Sequence, residues 1–335
     1  MKIVHAILTS RFAGSERYAI ELANAQSHHH DVSIILSPKA SENRADALKH
    51  RVASRVTVHE LKSRTKFFQI YEIRRLLSSI PHDVIHGHLS TACRALSGLT
   101  CSSARVATLH IHYKHNQHQK LDGLIAIAPW QLADIPEKLQ SRTRQIDNWT
   151  SDKIAAPGMR DHIRESFGIA PGDILIGALG RVVESKGFDI LIDAFRQSGI
   201  PNAKLAIIGN GKEWKMLKAK AGSDIIMPGF WPTPEDWLAA FDVFVSAART
   251  EPFGLVFLEA MNSGLPVIAT ASQGALHLRN LIDSALVPID NVGAMQKALE
   301  NFCKAPVQRT VYNLSNYRIE SKLTQIDEFY QMTMT

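Results

Sequence analysis

Cysteine is scarce in this chain, and long hydrophobic runs are absent. The 335 residues include three cysteines, Cys93, Cys101 and Cys303, which form neither a C-x-x-C pair nor a disulfide framework. This usage favours a reducing compartment. No stretch of about 18 consecutive apolar residues occurs, so no membrane-spanning helix is predicted. Residues 1–8 also lack the length and the cleavage site of a signal peptide, and we expect a cytoplasmic protein.

Acidic residues are under-represented in one half of the chain. Residues 1–150 carry 20 basic and 12 acidic side chains, whereas residues 151–335 carry 18 and 20. Thirteen of the 15 histidines also lie in the first half. Such a basic half usually meets an anionic partner, which could be nucleic acid, a membrane or a phosphorylated substrate. The half contains no recognised nucleic-acid-binding module and no interleaving of aromatic and basic residues, so we expect no nucleic-acid partner.

Short apolar runs alternate with amphipathic segments along the whole chain, which is typical of βα units around parallel sheets. The predicted strands cover residues 2–8, 32–36, 83–86, 105–108, 123–128, 174–179, 204–208, 225–227, 243–246, 266–270 and 285–288. The predicted helices cover residues 16–27, 67–79, 91–99, 188–197, 234–241, 255–263, 292–303 and 315–332. A polar stretch with proline and glycine interrupts this rhythm over residues 147–172. The sequence therefore predicts an α/β fold of two tandem Rossmann-like, doubly wound parallel-sheet domains, with a ligand between them at the carboxyl ends of the strands.

The densest group of candidate functional residues lies between Glu251 and Glu259. Proline and glycine make residues 251–254 a loop, and the apolar run that follows predicts a helix. Free backbone N–H groups of Phe253, Gly254 and Leu255 would then lie at a helix amino terminus, where a phosphate or a sugar oxygen can bind. The alternative is that Glu251 is a surface loop acid and Glu259 a solvated helix residue.

A second group follows the first predicted strand of the same half. Arg181 and Lys186 lie on a strand-to-helix loop, where binding residues gather in open α/β folds. The planar guanidinium and the mobile ammonium suit a diphosphate that must leave during a reaction, although both could be surface charges. Gly209 and Gly211 form a third glycine loop, which is weak support by itself. In the first half, the loop at Gly14 lacks the full G-x-G-x-x-G pattern, which argues against a nicotinamide-dependent dehydrogenase.

In their order and spacing, these motifs resemble the retaining, nucleotide-sugar-dependent glycosyltransferases of glycosyltransferase family 4 (glycosyl transferases group 1), which have the GT-B fold. The resemblance covers most of residues 172–270 and, more thinly, the first half. It implies an acceptor-binding domain over residues 1–150 and a nucleotide-sugar-binding domain over residues 151–313. It also implies a cleft between the domains and a carboxyl-terminal helix, residues 314–335, that packs back on the first domain.

The resemblance also assigns roles to individual residues. Arg181 and Lys186 correspond to the pair that neutralises the donor diphosphate, Glu259 to the acid on the ribose, and Glu251 to the acid facing the donor sugar. The implied donor-binding set is Gly14, Gly180, Arg181, Lys186, Gly209, Phe230, Glu251, Phe253, Gly254, Leu255 and Glu259.

The implied catalytic set adds one histidine. It comprises Glu251, His110, Arg181 and Lys186. His110 is the best match to a family histidine near the transferred sugar, because it ends an apolar strand. His86 and His88, which come after residues 83–85 of the preceding predicted strand, compete for that position.

The implied reaction moves a sugar from a UDP- or GDP-type nucleotide sugar to an acceptor hydroxyl with retention of configuration, in lipopolysaccharide, glycolipid or polysaccharide biosynthesis. Arg181, Lys186 and helix-end amides would stabilise the leaving group electrostatically, so no metal and no cofactor is required. Two alternatives stay open: a nucleotide-sugar 2-epimerase of the same fold, and a non-catalytic nucleotide-sugar-binding protein. A glycosidase is weaker, because the diphosphate-binding residues would then have no purpose.

The basic first half would then belong to the acceptor domain. Its charge fits either an anionic acceptor, such as a phosphorylated glycolipid, or docking on the anionic inner face of the cytoplasmic membrane. The candidate contacts lie before or within an amphipathic helix, and they are Arg51, Arg55, Lys62, Arg64, Lys66, Phe67 and Phe68.

Overall fold

The chain forms two compact units. The structure is a computed structural model, and it describes residues 1–9, 12–44, 47–282, 285–305 and 308–334. The first unit comprises Met1–Trp149 together with Tyr317–Thr335, and the second comprises Thr150–Asn316. The chain thus leaves the first unit one residue earlier than the sequence predicted, and it returns there after residue 316 rather than 313.

The first unit is built on a parallel sheet. Its strands in the described residues are β1 (Lys2–Ile7), β2 (Asp31–Leu36), β3 (Thr57–Glu60), β4 (Val84–His88), β5 (Ala104–Leu109), β6 (Gly123–Ala126) and β7 (Thr143–Gln145). Its α-helices in the same residues are α1 (Gly14–Gln26), α2 (Lys66–Leu77), α3 (Leu89–Ser97), α4 (His115–His118), α5 (Glu137–Gln140) and, from the carboxyl terminus, α13 (Ile319–Met334). The strand order is β3-β2-β1-β4-β5-β6-β7, so the chain reverses its direction of winding between β1 and β4.

The second unit repeats this plan. Its strands in the described residues are β8 (Ile174–Leu179), β9 (Ala203–Ile208), β10 (Ile225–Gly229), β11 (Val243–Ser246), β12 (Val267–Thr270) and β13 (Ala285–Val287). Its α-helices there are α6 (Met159–Ser166), α7 (Phe188–Ser198), α8 (Trp214–Ala221), α9 (Pro234–Ala240), α10 (Leu255–Asn262), α11 (Gln273–His277) and α12 (Val292–Cys303). The order is β10-β9-β8-β11-β12-β13, which places the change of winding between β8 and β11.

The central strands are apolar because helices cover both faces of each sheet. In β1 every residue after Lys2 is buried, and β11 is buried throughout. The sequence prediction missed β3 and β7 at the two edges of the first sheet, because these strands are polar and partly exposed. It also ended β4 two residues early, at His86.

The carboxyl-terminal helix α13 completes the core of the first unit. Its buried face carries Ile326, Phe329 and Tyr330, which pack with residues of β1, β4 and β5. A Cβ added at Gly123, the first residue of β6, would lie 2.9 Å from the Phe329 ring. The first unit is therefore assembled from both ends of the chain.

Candidate active site

The predicted residues of the second unit gather where β8 and β11 end. Arg181 and Lys186 follow β8, and Glu251 follows β11, its hydrogen-bonded neighbour in the sheet. Gly209 follows β9 on the other side of β8. In open α/β folds the carboxyl ends of the strands at the change of winding are the usual place for a ligand.

Lys186 and Glu251 form an ion pair at this point. Lys186 Nζ donates to Glu251 Oε2 over 2.5 Å, and both side chains are largely shielded from solvent. The other carboxylate oxygen accepts from the Gly254 amide at 3.2 Å, and the Glu251 carbonyl accepts from the Gly274 amide at 2.7 Å. The carboxylate is therefore held in one orientation by contacts on both oxygens.

The Gly254 contact corrects one expectation from the sequence. Gly254 is the N-cap of α10 with φ 91°, and its N–H donates to Glu251 instead of being free for a ligand. The reason is that a loop acid three residues before the N-cap can accept a hydrogen bond from the N-cap amide itself. Phe253 has a buried side chain whose ring lies 5.6 Å from that of His277. Leu255 begins α10, and Glu259 lies half-buried within it.

Two loops are joined at the site. The Thr250 amide donates to the Ser185 carbonyl at 3.1 Å, which connects the chain before Glu251 to the turn before Lys186. Arg249 adds four contacts. It donates to the Glu184 carbonyl at 2.7 Å, to both carboxylate oxygens of Asp189 at 2.8 and 2.9 Å, and to Asp290 Oδ1 at 2.5 Å. These hydrogen bonds with Arg249 lower the pKa of Asp189.

Arg249 was not among the residues predicted from the sequence. The sequence shows that it lies two residues before Glu251, but nothing in the sequence indicates which residues a single loop arginine will contact. Only the fold shows that it ties the two loops together, and it therefore positions Lys186 and Glu251.

Glycines allow the strand ends to approach one another closely. Gly209 has φ 138°, and a Cβ there would lie 1.9 Å from the carbonyl oxygen of Gly180, which itself has φ 152°. Gly187 has φ 61°, and its Cβ would lie 2.0 Å from the Ala247 carbonyl. Side chains at these positions would separate the loops that carry Arg181, Lys186 and Glu251.

The remaining predicted residues of this unit lie at its surface. Arg181 is exposed and, among the described residues, makes no side-chain hydrogen bond or ion pair. Phe230 follows β10 with 47% of its surface exposed. Both side chains are therefore exposed to a ligand, whereas the Lys186 ammonium is already paired with Glu251.

In the first unit, Gly14 is the exposed first residue of α1. The segment between β1 and this helix lies at the change of winding of the first sheet. It corresponds to the segment after β8 that carries Lys186 in the second unit. Part of the intervening loop, residues 10 and 11, lies outside the described residues.

Four histidines of the first unit form a cluster toward the carboxyl ends of β1, β4 and β5. His110 follows β5 directly and is partly exposed. His5, His86 and His88 are completely buried, within β1 and β4. The sequence prediction ended this strand at His86, whereas β4 continues through His88, so neither histidine follows the strand.

Burial keeps these histidines neutral. It lowers the pKa of His5 to about 4 and that of His110 to about 3, and it lowers the pKa of His86 and His88 well below the ordinary value. His5, His86 and His88 each offer one ring nitrogen within 4.8 Å of the others, so they are candidate metal ligands. Every one of these rings, however, already has hydrogen-bond partners in the protein.

Comparison with known proteins decides the family. The profile described as Glycosyltransferase Family 4 matches residues 12–176, and the one described as Glycosyl transferases group 1 matches residues 173–304. Together they span both units. The chain belongs to the family 4, group 1 glycosyltransferases.

Named relatives of this family 4 glycosyltransferase include two proteins of Rhizobium meliloti strain 1021. The lipopolysaccharide core biosynthesis mannosyltransferase LpsB is 26% identical over 79% of this chain and 80% of its own length. The lipopolysaccharide core biosynthesis glycosyltransferase LpsE is 32% identical over 38% of each chain.

Solved structures confirm the predicted fold class of this glycosyltransferase, which is GT-B. The structure of Anabaena Alr3699/HepE in complex with UDP and glucose superposes with a TM-score of 0.80, at 19% identity, over 99% of this chain and 100% of that one. Among the residues described, no helix combines the length and the apolar character needed to cross a membrane.

Proposed function

We propose that this glycosyltransferase moves a sugar from a UDP- or GDP-type nucleotide sugar to a hydroxyl of a glycan or glycolipid, with retention of anomeric configuration. The observation that carries the proposal is the Lys186–Glu251 pair beside the exposed Arg181, at the change of winding in the second unit. The donor would bind to this unit, and the acceptor to the first. The names of LpsB and LpsE support lipopolysaccharide or a related glycan as the product.

The chemistry requires stabilisation of a leaving diphosphate. The acceptor oxygen forms a bond to the anomeric carbon while the bond from that carbon to the phosphate oxygen breaks. The electron pair leaves with the nucleoside diphosphate, and a phosphate oxygen takes the hydroxyl proton. Arg181 and Lys186 would neutralise the charge that develops, and we propose that they do so without a metal ion or a cofactor.

Glu251 has a second use in this proposal. Its carboxylate holds Lys186 in place before the donor arrives, because the ammonium would otherwise occupy many rotamers. When a diphosphate binds, the three donors of the ammonium can be shared between Glu251 and the phosphate oxygens. The pair is then a preorganised site rather than a structural salt bridge.

The first experiment identifies the donor. Purified protein is screened by thermal unfolding against UDP-, GDP- and ADP-sugars, and the true donor raises the midpoint progressively with concentration. With that donor, the anomeric proton coupling of the product, measured by NMR, shows retention or inversion. Rapid conversion of the donor to its epimer without any acceptor would instead support a nucleotide-sugar 2-epimerase.

The second experiment tests the diphosphate site. Lys186→Ala and Arg181→Ala are each expected to lower kcat by roughly 10²- to 10³-fold, the usual effect of removing one group that stabilises transition-state charge. Lys215→Ala, an exposed lysine on α8, is the matched control and should retain wild-type kcat. Unchanged turnover in Lys186→Ala would show that the diphosphate does not bind here.

We further propose that α2 docks on an anionic membrane. Three aromatic side chains on this helix are exposed: Phe67 by 78%, Phe68 by 59% and Tyr71 by 65%. The exposed side chains of Lys62, Arg64 and Lys66 precede or begin the same helix. Exposed aromatics beside several cations fit the interface of an anionic bilayer.

Two of the arginines predicted from the sequence are engaged within the first unit. Arg51 stacks on the Phe12 ring, and Arg55 contacts His28, so both are less available to a membrane.

Vesicle binding tests this surface. Co-sedimentation with phosphatidylglycerol vesicles is expected to exceed that with phosphatidylcholine vesicles, to weaken in salt and to fall in Phe67→Ser/Phe68→Ser. Met216→Ser, which alters a residue 60% exposed on the second unit, is the control. Equal sedimentation of the double variant and the wild type would contradict membrane docking through α2.

A further inference from the structure

His5, His88 and His110 form a hydrogen-bonded row across three adjacent strands. His110 Nε2 lies 3.3 Å from His88 Nδ1, and His88 Nε2 lies 3.1 Å from His5 Nδ1. The row continues to Gln26 on α1, whose Oε1 lies 2.9 Å from His5 Nε2. Gln26 Nε2 in turn donates to Asp327 on α13 at 2.9 Å. The row thus connects His110, a catalytic residue predicted from the sequence, to the carboxyl-terminal helix.

Asp327 determines the orientation of the Gln26 amide. A carboxylate only accepts hydrogen bonds, so the amide NH₂ must face Asp327 and the amide oxygen must face His5. The reversed amide would place two oxygens against each other. His30 Nε2, 2.9 Å from the other Asp327 oxygen, holds the carboxylate in this position.

This orientation propagates along the row. Because Gln26 Oε1 only accepts, His5 must donate from Nε2. A neutral imidazole has a single N–H, so His5 Nδ1 is an acceptor and His88 must donate to it from Nε2. His88 Nδ1 is then the acceptor for His110 Nε2–H. The low pKa of each ring, caused by burial, keeps all three neutral and preserves this logic.

We propose that Asp327 and Gln26 select the Nε2–H tautomer of His110 through His5 and His88, so that His110 offers its Nδ1 lone pair to a hydroxyl of the transferred sugar. Among the described residues, nothing forms a hydrogen bond with His110 Nδ1. Asp327, Gln26, His5 and His88 are positioning residues, since they act only through His110. The role at the sugar rests on the proposed function, whereas the tautomer does not.

A metal at His5, His86 and His88 is the competing interpretation. The structure favours hydrogen bonds, because His86 Nδ1 is 2.6 Å from the Tyr330 hydroxyl and His86 Nε2 is 2.8 Å from Thr108 Oγ1. Both nitrogens of His86 are therefore occupied by hydroxyl groups of the protein.

Substitutions at Gln26 test the row. Gln26→Lys presents only donors, to Asp327 and to His5 together, and should reverse every bond and move the His110 proton to Nδ1. Gln26→Leu removes the acceptor without burying a charge, and should leave His110 as a mixture of tautomers. Gln26→Glu can share a proton with Asp327 and still accept from His5, so it should retain Nε2–H. Glu328→Gln, at an exposed position of α13 next to Asp327 and outside the row, is the matched control.

The primary measurement is long-range ¹H–¹⁵N NMR of protein labelled at histidine, without substrate, which reports the protonated nitrogen of His110. The wild type, Gln26→Glu and Glu328→Gln should show Nε2–H. An Nδ1–H signal in the wild type, a tautomer unchanged in both Gln26→Lys and Gln26→Leu, or stoichiometric metal by elemental analysis would overturn the proposal.

Turnover with the identified donor is the second measurement. Gln26→Lys and Gln26→Leu are expected to lower kcat by roughly 10- to 100-fold, with little change in affinity for the free nucleotide, because the altered contact is with the sugar. Gln26→Glu should restore most of the rate. A tautomer that shifts while kcat does not would overturn the role at the sugar. If no nucleotide sugar binds, the proposed function fails, but the NMR result still decides the tautomer.

Discussion

At the scale of single residues, the site of the second unit depends on glycines, because they have no Cβ and let two strand ends lie close together. Gly209 allows the end of β9 to lie against the Gly180 carbonyl at the end of β8, and no other residue type can occupy that space. Arg181 follows Gly180 directly. The position of the Arg181 backbone therefore depends on a glycine that is 28 residues away in the sequence.

Gly209→Ala is expected to destabilise the protein and to weaken donor binding. The added Cβ would meet the Gly180 carbonyl and would also be strained at φ 138°, and such overpacking typically costs about 1–3 kcal/mol. Thermal unfolding and donor titration measure the two effects. Gly172→Ala is the control, because a Cβ there meets no atom within 4 Å. If both variants bind the donor as tightly as the wild type, the close approach is not needed for the site.

At the scale of elements, the active-site loops act as one unit because Arg249 joins them. The loop after β11 and the turn after β8 come from segments about 65 residues apart, and Arg249 contacts Glu184 and Asp189 in the second segment. The Lys186–Glu251 pair spans the same two segments. Losing Arg249 should therefore change the geometry of that pair.

Arg249→Leu is expected to lower kcat by roughly 10- to 100-fold, since small misplacements of catalytic groups have effects of this size. Lys220→Leu removes a comparable exposed ion pair with Asp193 and should leave kcat unchanged. Steady-state kinetics with the identified donor measures both variants. Equal rates in Arg249→Leu and the wild type would mean that the loops hold their positions without the arginine.

The same variant carries a prediction about pH. The pKa of Asp189 is lower in the folded protein than its ordinary 3.8, so its ionised form contributes stability above pH 3.8. That contribution is lost as the pH falls through the lower folded value. The wild-type unfolding midpoint should therefore fall more steeply than that of Arg249→Leu between about pH 5 and pH 3. Parallel midpoint curves would show that the pair does not stabilise the fold.

At the scale of the whole molecule, the first unit is not continuous in sequence. Residues 317–334 return to it and supply Ile326, Phe329 and Tyr330 to its core. The same helix supplies Asp327 to the histidine row. The stability of the first unit and the tautomer of His110 thus both depend on the end of the chain.

Phe329→Ala is expected to destabilise the first unit by about 3–5 kcal/mol, as for other buried phenylalanines. Hydrogen exchange followed by mass spectrometry should show lost protection in β1, β4, β5 and β6. Protection in β8, β9 and β11 should remain, because Phe329 belongs to the core of the first unit alone. Loss of protection in both sheets would show that the units unfold together. Met332→Ala, at an exposed position on the same helix, is the control.

Periodicity and local motifs predicted much of this protein. Continuous apolar runs indicated the central strands, because parallel strands covered on both faces need apolar residues at every position. The loops that contain Arg181, Lys186 and Glu251 could be predicted, because glycine, proline and charged residues lie there between a predicted strand and a predicted helix. The edge strands β3 and β7 were missed, because polar, partly exposed strands have no such signal.

The sequence alone determined the fold class, the family and the residue types available at the strand ends, since these follow from local patterns of hydrophobicity and spacing. The tertiary structure decided which of them meet. It paired Lys186 with Glu251, turned the Gly254 amide toward that carboxylate and brought Arg249 to Asp189. It also placed Asp327 beside Gln26, 301 residues away in the chain. Hydrogen bonds over such separations depend on the packing of whole elements, and no local pattern encodes them.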